Sequence, residues 1–326
     1  MLKGYRVEDG QLQMLELGPG ATFAPDTTWL DLLRPTEDER RWVSEAVGIE
    51  LPTRAEMEEI ELSSRLYIED DVPFMTALVL YHADTPAPDL TPITFVLVGA
   101  TLVTIRYAEP ASFRTFVSKI ERRPFHAATV ERVTCGLLEA ITDRIADILE
   151  RAAAELDQIS REVFTGTDGK ARPRKRRDLT ELLARIGRSG DLISKARESV
   201  VSLTRLVSFL GAVTKSSTRK GIKGRLKTIT RDVLSLRDHA AFESSNVNFL
   251  LDATLGVINI EQNAIIKTFT VAAVAFLPPT LIASIYGMNF DVMPELHWPF
   301  GYAFALAVML ISAILPLAYF KLKRWL

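Results

Sequence analysis

The sequence predicts an α+β domain, a mixed sheet with helices, that continues into a long helical hairpin, a stalk helix running unbroken into a first membrane span, and a second membrane span. Three observations predict it. Short runs rich in β-branched and aromatic residues, separated by turn signals, fill the first third of the chain. Beyond them, apolar residues recur at intervals of three and four, the period of an amphipathic helix. Residues 264–286 and 300–320 are then the two stretches long and apolar enough to cross a hydrocarbon core, which takes about 20 residues.

Within residues 1–125, Leu2–Val7, Gln11–Glu16 and Thr28–Leu33 read as strands, and Thr36 as the N-cap of a helix through Glu39 to Val47. Arg65–Glu69, Phe74–His82, Ile93–Val98 and Thr101–Tyr107 follow as strands, with Gly99 at a turn and the proline-rich Asp84–Pro92 as a loop. Residues 126–212 form the expected hairpin. Its first helix carries Leu138, Ile141, Ile145, Ile148, Ala152, Leu156, Ile159 and Val163 on one stripe. Its second carries Leu179, Leu182, Ile186, Ile193, Ala196, Val200, Leu203 and Leu206, with Gly211 as its expected end. The stalk, residues 221–263, repeats Leu226, Ile229, Val233, Leu236, Val247, Leu250, Thr254 and Ile258 and meets no proline before Pro278. A helix continuous from there to Tyr286 would be roughly 95 Å long, far more than a bilayer requires.

Lys267 is the one charge inside the two apolar stretches, placed where a long side chain can reach the interface. Pro278 and Pro279 are expected to bend the first span. Lys321, Lys323 and Arg324 follow the second span, whereas the linker 287–299 holds Asp291 and Glu295 and neither Lys nor Arg. The positive-inside rule therefore puts the tail 321–326 and the long N-terminal part in the cytoplasm and the linker outside, with Trp298 and Trp325 suited to the two interfaces. Met1–Gly10 carries Lys3, Arg6, Glu8 and Asp9 where a signal peptide has an apolar core, so the bulk of the chain is expected to stay inside.

Asn263, Thr270, Leu277 and Ser284 recur every seven residues along the first span, and Ile266, Ala273, Thr280 and Gly287 form a second row of the same heptad. Small and polar residues on such a seam permit close helix packing, and they can also line a narrow water-filled path. Two helices cannot enclose such a path, so a pore requires several copies, usually in a closed ring. Gly287 permits a backbone turn and Asn289 offers a neutral oxygen at the helix end, with Glu295 further along the outer loop. Neutral oxygens suit hydrated Mg²⁺ better than a carboxylate cage that would hold the ion. A bare Gly-x-Asn is also a common turn.

Tyr286-Gly287-Met288-Asn289-Phe290, Met293-Pro294-Glu295-Leu296, Phe276-Leu277-Pro278-Pro279-Thr280 and Lys321-Leu322-Lys323-Arg324-Trp325-Leu326 together resemble the CorA family of magnesium and cobalt channels, most closely its enterobacterial branch. The resemblance extends over the whole chain, including Trp29-Leu30-Asp31-Leu32 and Asn259-Ile260-Glu261-Gln262-Asn263. It implies a homopentamer in the cell inner membrane, with a cytoplasmic funnel, a pore-lining first span and a lipid-facing second span. By the same resemblance Gly287, Met288 and Asn289 form the external selectivity ring and Thr280 a polar ring below it. Leu277 and Phe269 would be apolar constrictions, Ile266 a further narrowing and Asn263 the inner polar ring. The heptad seam instead turns Thr270 inward. Zinc-transporting relatives usually carry Val in the middle of the triplet, so Met288 favours magnesium. Cobalt and nickel are further cargoes the resemblance allows. It also implies gating by intracellular Mg²⁺ held by carboxylates between cytoplasmic domains, for which Glu69, Asp70, Asp71, Asp232, Asp238 and Asp252 are candidates; ordinary solvated acidic surface is the alternative for each.

A formal net charge of −2 gives no global attraction to nucleic acid. The basic run Lys170, Arg172, Arg174, Lys175, Arg176 and Arg177 lacks aromatics and sits at the expected hairpin tip, which suits a solvated loop or contact with anionic lipid headgroups rather than nucleic acid. Lys321, Lys323 and Arg324 either mark topology or form an electrostatic collar. Cys135 is the single cysteine, expected to be buried, and His82, His126, His239 and His297 lack zinc spacing. No catalytic arrangement and no nucleotide loop is present, so a non-enzymatic protein without an organic cofactor is expected, driven by the membrane potential.

Overall fold

The structure, a computed structural model, describes residues 1–8, 11–16, 27–122, 129–164, 179–216, 223–289 and 293–323. They fall into two compact units, Met1–Leu251 and Asp252–Leu326.

The first unit is built on one seven-stranded mixed sheet. Its strands are β1 (Leu2–Glu8), β2 (Gln11–Glu16), β3 (Thr27–Leu33), β4 (Leu66–Glu69), β5 (Val72–Tyr81), β6 (Asp89–Val98) and β7 (Thr101–Arg106), in the order β2-β1-β3-β7-β6-β5-β4. Only β3 and β7 run parallel. Between β3 and β4 lie α1 (Glu37–Val47), α2 (Arg54–Glu58) and α3 (Leu62–Arg65). Thr36 caps α1, as expected, and does so in a reciprocal box with Glu39; Thr53 with Glu56 repeats the device on α2.

The alternation Trp29-Leu30-Asp31-Leu32 explains the layering. Leu30 and Leu32 join Leu2, Phe74, Val96, Val103 and Ile105 in a core closed by Val43, Leu51 and Met57. Trp29 and Asp31 point to the other face. There Trp29 stacks on Tyr5 with ring centroids 4.3 Å apart and meets Phe116 edge-on at 5.8 Å. Its indole donates to Thr104 Oγ1 at 2.9 Å, and Thr104 donates in turn to Asp31 Oδ1 at 2.8 Å. Arg106 grips both carboxylate oxygens of Asp31, at 2.9 and 2.7 Å, and both side chains of this ion pair are buried.

The loop expected over Asp84–Pro92 is shorter than its prolines suggest, because β6 already starts at Asp89. Pro92 faces Leu78 of β5, beyond the end of the β7 ladder at Ile93–Arg106. Leu78 turns its N–H to Ser202 Oγ and its carbonyl to Ser199, so a proline opposite it forfeits no ladder bond.

α4 (Ala111–Arg122), α5 (Val130–Phe164) and α6 (Leu179–Ser216) follow the sheet. The predicted stripes of α5 and α6 are buried, apart from Leu179, which is half-buried. Arg185 ties the two helices through Glu155 and Glu162. The basic tip Lys170–Arg177 lies outside the described residues. α6 runs past its expected end at Gly211 to Ser216. A Cβ at Gly211 would stand 3.5 Å from Leu226 Cδ2, an ordinary van der Waals contact, so the helix runs through this glycine and packing does not demand it.

Gly136 has a stricter reason. A Cβ there would come within 2.5 Å of Phe116 Cε2, so the buried Phe116 ring, edge-on to Trp29, would have to shift. Gly136→Ala should therefore destabilise the first unit by about 1–3 kcal/mol despite its better helix propensity. Chemical denaturation followed by tryptophan fluorescence checks this. Neighbouring Cys135 is buried as expected, and burial pushes its thiol up to about 11. Folded protein at pH 8 should accordingly resist maleimide, and the same thiol should label fully after denaturation.

α7 (Lys223–Tyr286) is one 64-residue helix that continues through Pro278 and Pro279. In the first unit its buried stripe is Leu226, Ile229, Val233, Ala240 and Leu250. The second unit holds the rest of α7, a 3-10 turn at Pro294–His297 and α8 (Gly301–Leu322). α7 and α8 each carry a stretch long and apolar enough to span a membrane, and 6% of each such stretch is buried, unlike the core helix of a soluble protein.

Candidate cation pathway on α7

Burial in the second unit falls on one stripe of α7. Val271 and Ala275 are buried, and Val274, Pro278, Pro279, Ile282 and Tyr286 are half-buried. At 100° per residue these seven share one face, the face on which the rest of the unit lies. Asn263, Thr270, Leu277 and Ser284, with Ile266, Ala273 and Thr280, are all exposed. From Thr270 onward they occupy the opposite side of the helix. This asymmetry leaves the polar row free, a point that sequence periodicity could not supply because it gives spacing without saying which face is covered.

The hydroxyls of the row are committed in one direction. Thr270 donates to Ile266 O at 2.8 Å, and Thr280 donates to Phe276 O at 2.6 Å and Leu277 O at 2.9 Å. With its proton given to the helix, each hydroxyl presents oxygen lone pairs outward. Such acceptors match the outward-pointing hydrogens of a hydrated cation. Thr268, also exposed, is held the same way through Ala264 O and was not singled out by the heptad.

Phe269 and Leu277 are exposed to similar degrees, 72% and 67%, and Ile266 to 61%. A single chain thus leaves both phases of the helix, Phe269 inward or Thr270 inward, open to a partner.

At the helix end, Gly287 N–H still bonds Ala283 O at 3.0 Å, and Met288 N–H bonds Ile285 O at 3.2 Å. Gly287 lies in the turn that ends α7, as expected, but its backbone is not left-handed, so the turn does not draw on glycine's conformational freedom. A Cβ there would sit 3.2 Å from the carbonyl oxygen of Ala283, a tight contact that asks for a shift of a few tenths of an ångström. Gly287, Met288 and Asn289 are exposed where α7 terminates. Glu295 lies in the 3-10 turn, Lys321 and Lys323 are exposed at the end of α8, and Arg324 is outside the described residues.

The candidate regulatory carboxylates lie on several elements. Glu69, Asp70 and Asp71 are exposed, with Asp70 and Asp71 in left-handed turn conformations (φ 47° and 62°) between β4 and β5. Asp238 pairs with Arg237 at 2.9 Å, Asp232 lies 3.9 Å from Arg231, and Asp252 is exposed. Among the described residues no three metal-ligating side chains are placed to hold one ion.

The sequence profile of the family described as "CorA-like Mg2+ transporter protein" matches residues 25–324. The chain is 35% identical over 326 residues to the magnesium transport protein CorA of Pasteurella multocida, covering the whole of both. It is 33% identical, again over the full length of both, to the magnesium transport protein CorA of Escherichia coli K12. Among solved structures, the complete CorA magnesium transporter from Methanocaldococcus jannaschii superposes with a TM-score of 0.76 at 19% identity, over 100% of this chain and 99% of that one. The mixed sheet, hairpin and long helix ending in two apolar spans are thus a known fold, and full-length identity above 30% places the chain in the CorA family.

Proposed function

We propose that this protein is a passive, membrane-potential-driven importer of Mg²⁺, assembled as a homopentamer in the cell inner membrane with both termini in the cytoplasm. The observation that carries the reading is the exposed row on α7, opposite the face its own unit covers and ending at Gly287, Met288 and Asn289. Five copies bring five such rows to a common axis. Asn289 amides then ring the outer mouth, and Thr280, Leu277, Thr270 or Phe269, Ile266 and Asn263 follow inward. Neutral amide and hydroxyl oxygens accept hydrogen bonds from the ion's first water shell, which Mg²⁺ surrenders reluctantly. The ion is held by its water and can leave as easily as it binds. An inside-negative potential supplies about 4.6 kcal/mol per 100 mV for a divalent ion, so no nucleotide is required.

Regulation by internal Mg²⁺ belongs to the same proposal. In this reading an ion bridges carboxylates of neighbouring copies, and losing it relaxes the closed packing. Lys321 and Lys323 supply positive charge at the cytoplasmic end of α8 that repels cations in the closed state.

Influx into proteoliposomes containing a magnesium dye, with Co²⁺, Ni²⁺ and Zn²⁺ as competitors, tests the cargo. Mg²⁺ should enter with a rate that rises as the interior is made more negative, and Co²⁺ and Ni²⁺ should compete. Zn²⁺ carried in preference to Mg²⁺ would reassign the cargo.

A further inference from the structure

We propose that neighbouring copies of this chain dock through two clefts flanking α7, the basic row Lys223, Lys227 and Arg231 of one copy lying against the acidic pair Asp143 and Asp147 of the next. The inference rests on the homo-oligomeric reading above and names the surfaces that carry it.

The first cleft, about 340 Å³, lies between α4, α5 and the start of α7, on an apolar floor that includes Phe116, Ile120 and Gly136. Two of its cations are already engaged: Arg225 holds Glu139 through both carboxylate oxygens, and Arg144 holds Asp84. Asp143 and Asp147 have no ion pair among the described residues, although Lys119 lies near Asp143. Burial raises the Asp143 carboxyl above the usual range, Lys119 opposes the shift, and Glu139, Asp147 and Asp232 add to it. The lining holds three cations and three carboxylates, but with Arg225 engaged by Glu139 and Arg144 by Asp84, Asp143 and Asp147 are left with Lys119 alone. No three of its carboxylates converge on one point, so a line of separate cations fits it better than a single metal ion.

The second cleft, about 900 Å³, lies between α6 and α7 over Val207, Gly211, Leu226 and Leu234. Lys223, Lys227 and Arg231 line it. The two lysines make no ion pair among the described residues, and Arg231 reaches only toward its neighbour Asp232, at 3.9 Å. The two rows share a pitch: the acids stand four residues apart on α5 and the bases four apart on α7. Each step is a rise of about 6 Å, so helices side by side can match charge to charge.

Around α7 the buried Leu226, Ile229 and Val233 separate Arg225, which lines the first cleft, from Lys223 and Lys227, which line the second, while Arg231 lies beside Asp232 on the exposed side. A surface whose donor and acceptor patches lie apart associates head to tail, and such contacts close into a ring when the rotation allows. Opposite charges then set the register and exclude the face-to-face pairing of two identical patches.

The full-length protein in lipid nanodiscs provides the test. One cysteine is placed at Asp143 or Asp147 and a second at Lys223, Lys227 or Arg231, and each pairing is treated with a short bis-maleimide; buried Cys135 stays silent. At least one pairing, such as Asp147→Cys with Lys227→Cys, should yield a ladder of dimers and higher species, and the single-cysteine variants none. A native mass above the monomer with no ladder from any pairing overturns the docking mode and leaves oligomerisation standing; a monomeric native mass overturns both. Charge exchange gives a second measure independent of cross-linking. Lys227→Glu with Arg231→Glu should lower the temperature at which the oligomer dissociates, and adding Asp143→Lys with Asp147→Lys should restore it. Additive losses in the combined variant would contradict the pairing.

Discussion

Asn289→Ala is expected to abolish Mg²⁺ influx in proteoliposomes while the native mass of the oligomer stays unchanged. Asn289 is exposed where α7 ends, so its loss should leave the fold intact. Its amide is lost once per subunit, however, and the subunits act on one ion. A hydrogen bond to a charged group contributes about 1.5–3 kcal/mol, so losing two of them would already slow permeation by about 100-fold or more. Asn289→Asp separates chemistry from shape. A carboxylate ring of the same size should bind Mg²⁺ more tightly and pass it more slowly, because release becomes limiting. Influx unchanged in both variants would place the selective contacts elsewhere.

The second large effect lies far from the membrane. Arg106→Met should destabilise the first unit by about 3–5 kcal/mol, since it leaves the Asp31 carboxylate buried without its bidentate partner. Against the 5–15 kcal/mol typical of a whole domain, that is enough to cost expression. Asp31→Leu alone should be comparably severe because it strands the guanidinium. The double variant should recover much of either loss, an apolar pair of similar volume being compatible with the surrounding Phe113 and Trp29. Tryptophan-monitored denaturation of the three variants measures this, with Trp29 reporting from beside the pair. Single losses near zero would mean that water reaches the site.

Much of the fold was legible in sequence because local chemistry dictated it. The box Thr36–Glu39 sets the start of α1, and the stripe Ile141–Ile145–Ile148–Ala152 predicts which face of α5 is buried. The same box at Thr53–Glu56 was there to be read for α2. The parallel pairing of β3 with β7 was not legible, because it joins segments some 70 residues apart and no local signal encodes it. Prolines and glycines misled as end signals. Pro92 is accommodated because Leu78 bonds to α6, and α6 runs on through Gly211 to Ser216. For the pathway, the heptad identified which residues share a row, and the burial of Val271 and Ala275 identified which row is free. The choice between Phe269 and Thr270 is unreadable from either, since neighbouring copies decide how the helix is rotated.

The central claim is that equivalent copies of α7 surround a hydrated axis whose outer mouth is lined by Asn289. A density map of the assembled protein in lipid nanodiscs tests it most directly. The account predicts five copies about one axis, with Asn263, Leu277, Thr280, Ser284 and the Asn289 amides facing it and α8 toward lipid. A map in which those side chains face lipid, with Val271 and Ala275 on the axis in their place, would contradict it.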